Sequence, residues 1–223
     1  MPRPTPEEIR FAALAVDVVC FRVSGTELQC LVGKVVSENN VFSGRWAHVG
    51  GLVRVTETAE EAATRLMRDK AGLRGVFCEQ LATFSKIDRD PRGRVVSVAY
   101  LGLVRGGEGV SAGIETRWEP AEKVKRLAYD HDEILATALA RVRAKASYTN
   151  ILRHLLPADF TLSELQRVYE TVLGRELDKR NFRKKIVATG LVEATGEKRR
   201  EGVMRPAALF RFVRADQQVI PAI

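Results

Sequence analysis

Two clusters of positively charged side chains lie in the C-terminal third of the chain, and they are the residues best suited to bind a polyanion. The first is in DKRNFRKK (178–185) and the second is in EKRREGVMR (197–205). Residues 147–223 carry 14 Lys and Arg against 9 Asp and Glu, so this third holds most of the net charge of +8. Such an excess favours a nucleic-acid partner, although a charge run also fits a solvated face.

The elements that position these clusters are predicted from capping signals. In TLSELQRVYETVLG, Thr161 and Glu164 have the spacing of a capping box, and Gly174 ends the helix. A second helix, DKRNFRKKIVAT, begins after Asp178 and closes at Gly190. Two short strands follow, LVEA and ALFRFV, with the second basic cluster between them. This is the order of a winged helix-turn-helix, whose second helix enters the major groove.

In that second helix, Phe182, Ile186 and Val187 form the predicted apolar stripe, and the cations project elsewhere. Arginine can read guanine and asparagine can read adenine, but the sequence leaves open which side chains read bases and which hold phosphates. A winged helix used only for protein contacts remains the alternative. The predicted DNA contacts are Lys179, Arg180, Asn181, Arg183 and Lys184 on the helix, and Lys198, Arg199, Arg200 and Arg205 on the wing.

The N-terminal half is predicted to be rich in strands. LAVDVVCFRV, LQCLVGKVV and VVSVAYLGLV are β-branched runs. One helical pattern interrupts them, with Thr58 and Glu61 as a capping box and Gly72 at its C-terminal end. Strands that flank an isolated helix, without regular βα alternation, favour an α+β architecture.

The segment from Gly51 to Leu73, GLVRVTETAEEAATRLMRDKAGL, resembles the Nudix box, whose pattern is G-x5-E-x7-R-E-U-x-E-E-x-G-U. Its framework matches at Gly51, Glu57, Arg65, Met67, Gly72 and Leu73. The preceding GRWAHVGG (44–51) is similar to the family's G-x-W-x-x-P-G-G, with Val49 at the proline position. The resemblance implies an internal Glu57–Arg65 ion pair.

The three glutamates of that box hold Mg²⁺ against a pyrophosphate, because positions i, i+3 and i+4 share one helix face. Here they fall on Leu66, Asp69 and Lys70. We expect Asp69 to pair with Lys70, and we predict no metal, no cofactor and no catalytic residue. An alternative cluster of Glu57, Glu60, Glu61 and Asp69 remains open, although Glu60 and Glu61 also suit the first turn of a helix.

Nearly the whole chain, from about Ala12 to Val213, resembles the Nudix-related transcription regulators of the NrtR type. The resemblance rests on EQLATF, DRDPRGR and LDKRNFRKK. It implies a homodimeric regulator, often a repressor, that binds a palindromic double-stranded operator. It also implies an effector that is ADP-ribose or a related phosphorylated ribose or sugar compound.

Positively charged side chains that could meet such an effector occur in the DRDPRGR turn, although Asp88 and Asp90 could equally pair with them to hold the turn. The remaining predictions come from the positions at which a Nudix box faces its substrate. The predicted ligand contacts are Arg89, Arg92 and Arg94 in the turn, and Lys34, Arg45, Trp46, Gly51, Arg65, Asp69 and Lys70 elsewhere.

We divide the chain into a Nudix-like sensing domain (1–128), a linker or dimerisation helix (129–147) and a winged-helix domain (148–223). Three scattered cysteines and the lack of a long apolar run favour a cytoplasmic, nucleoid-associated protein without a membrane span. The competing functions are an active Nudix pyrophosphohydrolase on ADP-ribose-type substrates, supported by Asp69 and the glycine frame, and a scaffold that binds only proteins.

Overall fold

The structure is a computed structural model, and it describes residues 12–37, 40–106, 113–200 and 206–213. The chain divides into two compact units. The first unit comprises residues 1–20, 30–102 and 108–137, and the second unit comprises residues 21–29, 103–107 and 138–223. No helix within the described ranges is long and apolar enough to cross a membrane.

The N-terminal part of the chain forms one sheet, in which seven strands are described, and one helix. The strands are β1 (Ala13–Ser24), β2 (Glu27–Lys34), β3 (Trp46–Ala47), β4 (Val49–Leu52), β5 (Phe77–Phe84), β6 (Val95–Leu103) and β7 (Thr116–Pro120), and the helix is α1 (Ala59–Ala71). The strand order is β3-β2-β1-β6-β5, with β4 also paired to β1 and β7 to β2.

Strand β1 lies at the centre of this sheet, which is mixed because β1 has both an antiparallel and a parallel neighbour. It runs antiparallel to β4, with Ala15 opposite Leu52 and Val18 opposite Val49. It runs parallel to β6, because Ala13 bonds to the Arg94 carbonyl and the Val104 amide bonds to the carbonyl of Phe21. Residues 15–21 are all buried, as expected for a strand covered on both faces.

Helix α1 begins and ends as its sequence predicts. The Thr58 hydroxyl accepts from the Glu61 amide at 3.2 Å, and the Glu61 carboxylate accepts from the Thr58 amide at 2.7 Å. Gly72 ends the helix in the left-handed conformation, with φ of 67°, which glycine adopts without steric cost. The helix therefore has a fixed register, which determines the side chains that face β4.

The C-terminal part follows the predicted order of helices and hairpin. It contains α2 (His131–Tyr148), a 3₁₀ turn (Ile151–Leu155), β8 (Phe160–Thr161), α3 (Leu162–Leu173), α4 (Lys179–Ala188), β9 (Val192–Arg199) and β10 (Ala207–Phe212). Strand β10 pairs antiparallel with β8 and with β9. The two-residue strand β8 was not predicted, because two residues are too few to show a periodicity.

The core of the second unit forms between α3 and α4. Tyr169 and Phe182 lie with their ring centroids 5.3 Å apart, and both are buried together with Leu165 and Ile186. Thr161 and Glu164 form the predicted capping box at the start of α3. A mixed sheet with a helix, followed by helix, helix and hairpin, confirms the predicted α+β class.

Candidate functional site

A cleft of about 250 Å³ opens in the first unit beside β1, β2 and β4. Glycine and alanine supply part of its wall, and polar side chains converge on it from several elements. This combination is typical of a pocket that orients a small polar ligand. Among the polar residues that line it are Lys34, Asn40, Lys70, Arg89, Asp90 and Arg92.

The floor of the cleft is a buried charge network centred on Asp17. Its carboxylate accepts from the Ser97 hydroxyl at 2.6 Å and from Arg89 at 3.2 Å. Arg89 also donates through two nitrogens to Asp130, at 2.9 and 2.7 Å. Burial alone raises the pKa of Asp17, but the contacts with His131 and Ser97 and the charge of Arg89 outweigh it and hold the pKa well below its usual range.

Gly50 is required for this floor, because it leaves room for the carboxylate. A Cβ at Gly50 would lie 2.0 Å from Oδ1 of Asp17 and 2.6 Å from the carbonyl oxygen of Val16. Any side chain there would displace the strand or the carboxylate.

Two histidines join the network to the start of α2. The backbone N–H of His48 donates to Nδ1 of His131 at 2.9 Å, so the proton of the neutral His131 ring is on Nε2, which lies 3.4 Å from Asp17. Nε2 of His48 donates to the carbonyl oxygen of His131 at 3.1 Å. Nδ1 of His48 is buried and has no hydrogen-bond partner among the described residues.

Burial, together with the neighbouring His131, lowers the pKa of His48 to about 3. An unfolded histidine binds a proton below a pH of about 6.5, whereas the folded His48 does not until about 3. The free energy of unfolding should therefore fall as the pH is lowered from 6.5 to 3, by up to about 1.4 kcal/mol per pH unit from this residue. Urea titrations across this range should show that slope.

His48→Gln should flatten the slope, because glutamine keeps an N–H donor and does not titrate. A residual slope is expected from His154, whose pKa burial lowers to about 4. An identical slope in the wild type and in His48→Gln would contradict the assignment of this pH dependence to His48.

In helix α1, the three positions that hold glutamates in a Nudix box lie in three different environments. Leu66 is buried beneath β4, where its Cδ2 lies 3.0 Å from the position of a Cβ on Gly51. Asp69 pairs with Arg68 at 2.7 Å, so the expected pairing with Lys70 is wrong. The Arg68 hydrogen bond is the main reason that the pKa of Asp69 is lowered.

The ammonium of Lys70 lies in the cleft and donates to the carbonyl oxygen of Gly50 at 2.6 Å. Burial is the main cause that lowers the pKa of Lys70, and the negative charge of Asp17 acts in the opposite direction. An aliphatic, a paired and a cationic side chain form a donor set that does not suit the Mg²⁺ of a Nudix site.

In the alternative acidic cluster, three of the four carboxylates are engaged by groups within the chain, Asp69 by Arg68 as described above. Glu57 accepts from Arg65 at 2.8 Å, as the box predicts, and this bond is the main cause that lowers the pKa of Glu57 to about 2. Glu61 closes the capping box of α1. Within the described ranges, no group of three or more His, Cys, Asp or Glu side chains is arranged to hold a metal ion.

Of the predicted ligand contacts, the cleft contains Lys34, Gly51, Lys70, Arg89 and Arg92. Arg92 donates to both carboxylate oxygens of Asp90 in its own turn, at 2.9 and 2.6 Å. This is the alternative in which an aspartate pairs with an arginine to hold the turn. Lys34 pairs with Glu115 at 2.9 Å.

The other predicted ligand contacts do not line the cleft. Arg45 donates to the carbonyls of residues 126 and 127, and Arg94 donates to those of residues 85 and 86. Trp46 lies 4.0 Å beneath the guanidinium of Arg117. Arg65 and Asp69 are in the ion pairs described above.

Sequence reasoning missed most of the floor of the cleft. Asp17, His48, Ser97 and His131 were not singled out, although one of them left a signal. Asp17 is a lone charge inside the apolar run LAVDVVCF, and a charge in a buried strand requires a partner.

Helix α4, in the second unit, presents a basic face. Asp178 caps it by accepting from the Asn181 amide at 2.8 Å, and Phe182 and Ile186 face the core. Val187 is 49% exposed, so its place in the predicted apolar stripe is wrong. It follows Ile186 by one residue, and a helix turns by about 100° over that step. The exposed polar side chains of α4 include Lys179, Arg180, Asn181 and Lys184.

Two predicted DNA contacts are partly engaged within the second unit. Arg183 donates to the hydroxyl of Ser163 at 3.0 Å. Arg199 donates to Glu164 and to the Asp159 carbonyl, each at 2.8 Å. Lys198 and Arg200 are exposed, and Arg205 lies outside the described residues.

Comparisons with known proteins match both parts of the chain. A model of the NUDIX domain matches residues 13–140, and a model of the NrtR DNA-binding winged helix domain matches residues 152–212. The chain is 33% identical to the ADPR responsive transcriptional repressor NtrR of Acinetobacter baylyi, over 91% of this chain and 83% of that one. It is also 38% identical to the ADP-ribose pyrophosphatase of Methanocaldococcus jannaschii, but over only 44% of this chain and 59% of that one.

Solved structures of Shewanella oneidensis NrtR are also similar. The complex with a 27mer DNA matches with a TM-score of 0.78 and 31% identity, over 89% of this chain and 93% of that one. The NUDIX domain of the same protein in complex with ADP ribose matches with a TM-score of 0.56 and 27% identity, over 62% of this chain and 94% of that one.

Proposed function

This chain belongs to the NrtR family of Nudix-related transcription regulators, and from that premise we propose that it is an ADP-ribose-responsive transcriptional repressor. It binds operator DNA through its winged helix and releases the operator when ADP-ribose occupies the cleft. The observation that carries the proposal is the presence, in one chain, of a cleft lined by cations and a helix-turn-helix with an exposed basic face.

The DNA-contacting surface consists of the exposed side chains of α4 and of the wing. Arg180, Asn181 and Lys184 meet the major groove, and Lys198 and Arg200 contact the phosphates. Lys179 extends this surface, and Arg183 and Arg199 contribute the donors that Ser163, Glu164 and Asp159 leave free. Arg205, outside the described residues, is proposed as a DNA contact from the sequence alone. Two copies related by a two-fold axis account for a palindromic operator, so the repressor acts as a homodimer on DNA in the cytoplasm.

The effector site is the cleft of the first unit. Lys34, Lys70 and Arg92 supply positive charge for the phosphates, and Gly51 allows close approach at its side. Arg89 acts by fixing the floor, because its donors go to Asp17 and Asp130. The last predicted contacts do not line the cleft and would meet the effector only after a rearrangement: Arg45, Trp46, Arg65, Asp69 and Arg94.

We further propose that the chain does not hydrolyse its effector. The environments of Leu66, Asp69 and Lys70 support this assignment, because together they offer no pair of free carboxylates for Mg²⁺.

Helix α2 is the connection between the sensing and DNA-binding domains, since its residues 131–137 belong to the first unit and the rest to the second unit.

Fluorescence anisotropy with DNA from the region upstream of the gene tests this function directly. The chain should bind that DNA more tightly than a scrambled duplex at the same salt concentration. Since the two ligands favour different conformations, saturating ADP-ribose should weaken operator binding by about 5- to 150-fold. An operator affinity that ADP-ribose does not change, or turnover of ADP-ribose with Mg²⁺ at ordinary enzyme rates, would contradict the proposal.

A further inference from the structure

The most informative departure from the Nudix pattern is a lysine where the family places a metal-binding glutamate. Lys70 belongs to the last turn of α1, and its side chain extends to the cleft beside β4. Nζ lies 2.6 Å from the carbonyl oxygen of Gly50 and 3.4 Å from the position of a Cβ on Gly51. The missing side chain at Gly51 therefore keeps the ammonium open to the cleft.

An ammonium has three donors, and one of them is used by the carbonyl of Gly50. Lys70 forms no salt bridge with any described carboxylate, whereas Lys34 and Arg92 are paired with Glu115 and Asp90. Asp17 acts on it only at a distance, since the Asp17 oxygens accept from Arg89, Ser97 and His131. Lys70 is thus the lining cation whose charge is least neutralised.

The other two metal-binding positions of the box supply no free carboxylate to the cleft. Leu66 is buried under Gly51, and Asp69 pairs with Arg68 outside the cleft. A metal ion placed here would also face the positive charge of Lys70. The same charge attracts phosphate oxygens, which a lysine binds as a compact point charge.

We propose that the Lys70 ammonium takes the place of the metal ion and binds the diphosphate of the ligand directly, so that ligand binding does not need Mg²⁺. This inference rests on the proposed function for the identity of the ligand, but the charge arrangement is independent of that identity. The inference assigns Lys70 a binding role and predicts that, unlike the activity of a Nudix enzyme, ligand binding by this chain does not depend on Mg²⁺.

Isothermal titration of the full chain with ADP-ribose, in EDTA and in excess MgCl₂, tests the inference. The wild type should bind with affinities that agree within about twofold in the two buffers. Lys70→Met should bind about 10- to 100-fold more weakly in both buffers, because a charged hydrogen-bond donor is lost. Lys70→Arg should retain most of the affinity, and Lys125→Met, which removes an exposed lysine outside the cleft, should match the wild type.

Thermal unfolding of each variant without ligand separates lost binding from lost folding. Wild-type binding that disappears in EDTA would overturn the inference, and so would undiminished binding by folded Lys70→Met. If ADP-ribose does not bind in either buffer, the proposed function fails, and inorganic pyrophosphate becomes the probe. If pyrophosphate in EDTA raises the unfolding temperature of the wild type but not that of Lys70→Met, the inference is supported. If it does not raise the unfolding temperature of the wild type, or raises that of both proteins equally, the inference is rejected.

Discussion

Asp17→Ala should lower the free energy of unfolding by about 3–5 kcal/mol, because it removes the carboxylate at the centre of a buried ionic network and leaves buried donors unsatisfied. Ser97 and His131 each lose their acceptor, and Arg89 keeps only Asp130. Urea titration at neutral pH would measure this loss directly. A change below about 1 kcal/mol would show that the network contributes little to stability.

The matched control is Asp88→Ala, which removes an exposed carboxylate from the neighbouring turn. It should change the free energy of unfolding by no more than about 0.5 kcal/mol. The pH dependence gives a second control. Since the pKa of Asp17 is lowered in the folded state, its contribution is complete above a pH of about 4 and is lost as the pH falls below that value. The difference in the free energy of unfolding between the wild type and Asp17→Ala should therefore shrink as the pH falls below about 4.

Arg180→Ala combined with Lys184→Ala should weaken operator binding by about 10- to 100-fold or more, because both exposed side chains lie on the face of α4 opposite Phe182 and Ile186. Anisotropy titrations at several salt concentrations would measure both the affinity and its salt dependence. Each phosphate contact that is lost should reduce the slope of log affinity against log salt by about 0.9. A loss of affinity without a change in slope would instead indicate base readout.

Lys123→Ala combined with Lys125→Ala is the charge-matched control, because it removes two exposed lysines from the first unit. It should retain both the affinity and the slope. Equal effects from the two double variants would mean that net charge, and not the face of α4, governs DNA binding.

Arg199→Ala should act differently, by lowering thermal stability, because its guanidinium bonds to Glu164 and to the Asp159 carbonyl.

The elements that the sequence predicted correctly are those with local signals. The capping residues Thr58, Thr161 and Asp178 are each close in sequence to the group they bond, so their pattern determines where α1, α3 and α4 begin. The Glu57–Arg65 pair also falls within one short motif. Val187 was placed wrongly because two registers of an apolar stripe differ by one position near the end of a short helix.

The floor of the cleft could not be predicted, because its partners are far apart in the sequence. Asp17 meets Arg89 across 72 positions, and no periodicity links two such residues. The partner of Asp69 was predicted wrongly for a related reason. Lys70 is adjacent to Asp69 in the sequence, but its side chain bonds to the carbonyl oxygen of Gly50, and Asp69 pairs with Arg68 instead.

Asp130 and His131 have a practical consequence for building hybrid biosensors from this family. Both stand at the beginning of α2, yet their side chains complete the floor of the cleft through Arg89, Asp17 and His48. A fusion joint placed before residue 129 would give the transplanted sensor a foreign residue at each of these two positions. A joint placed after Tyr148 would transfer the whole helix with the pocket that it helps to build, so the later joint is the one that should preserve ligand recognition in the hybrid.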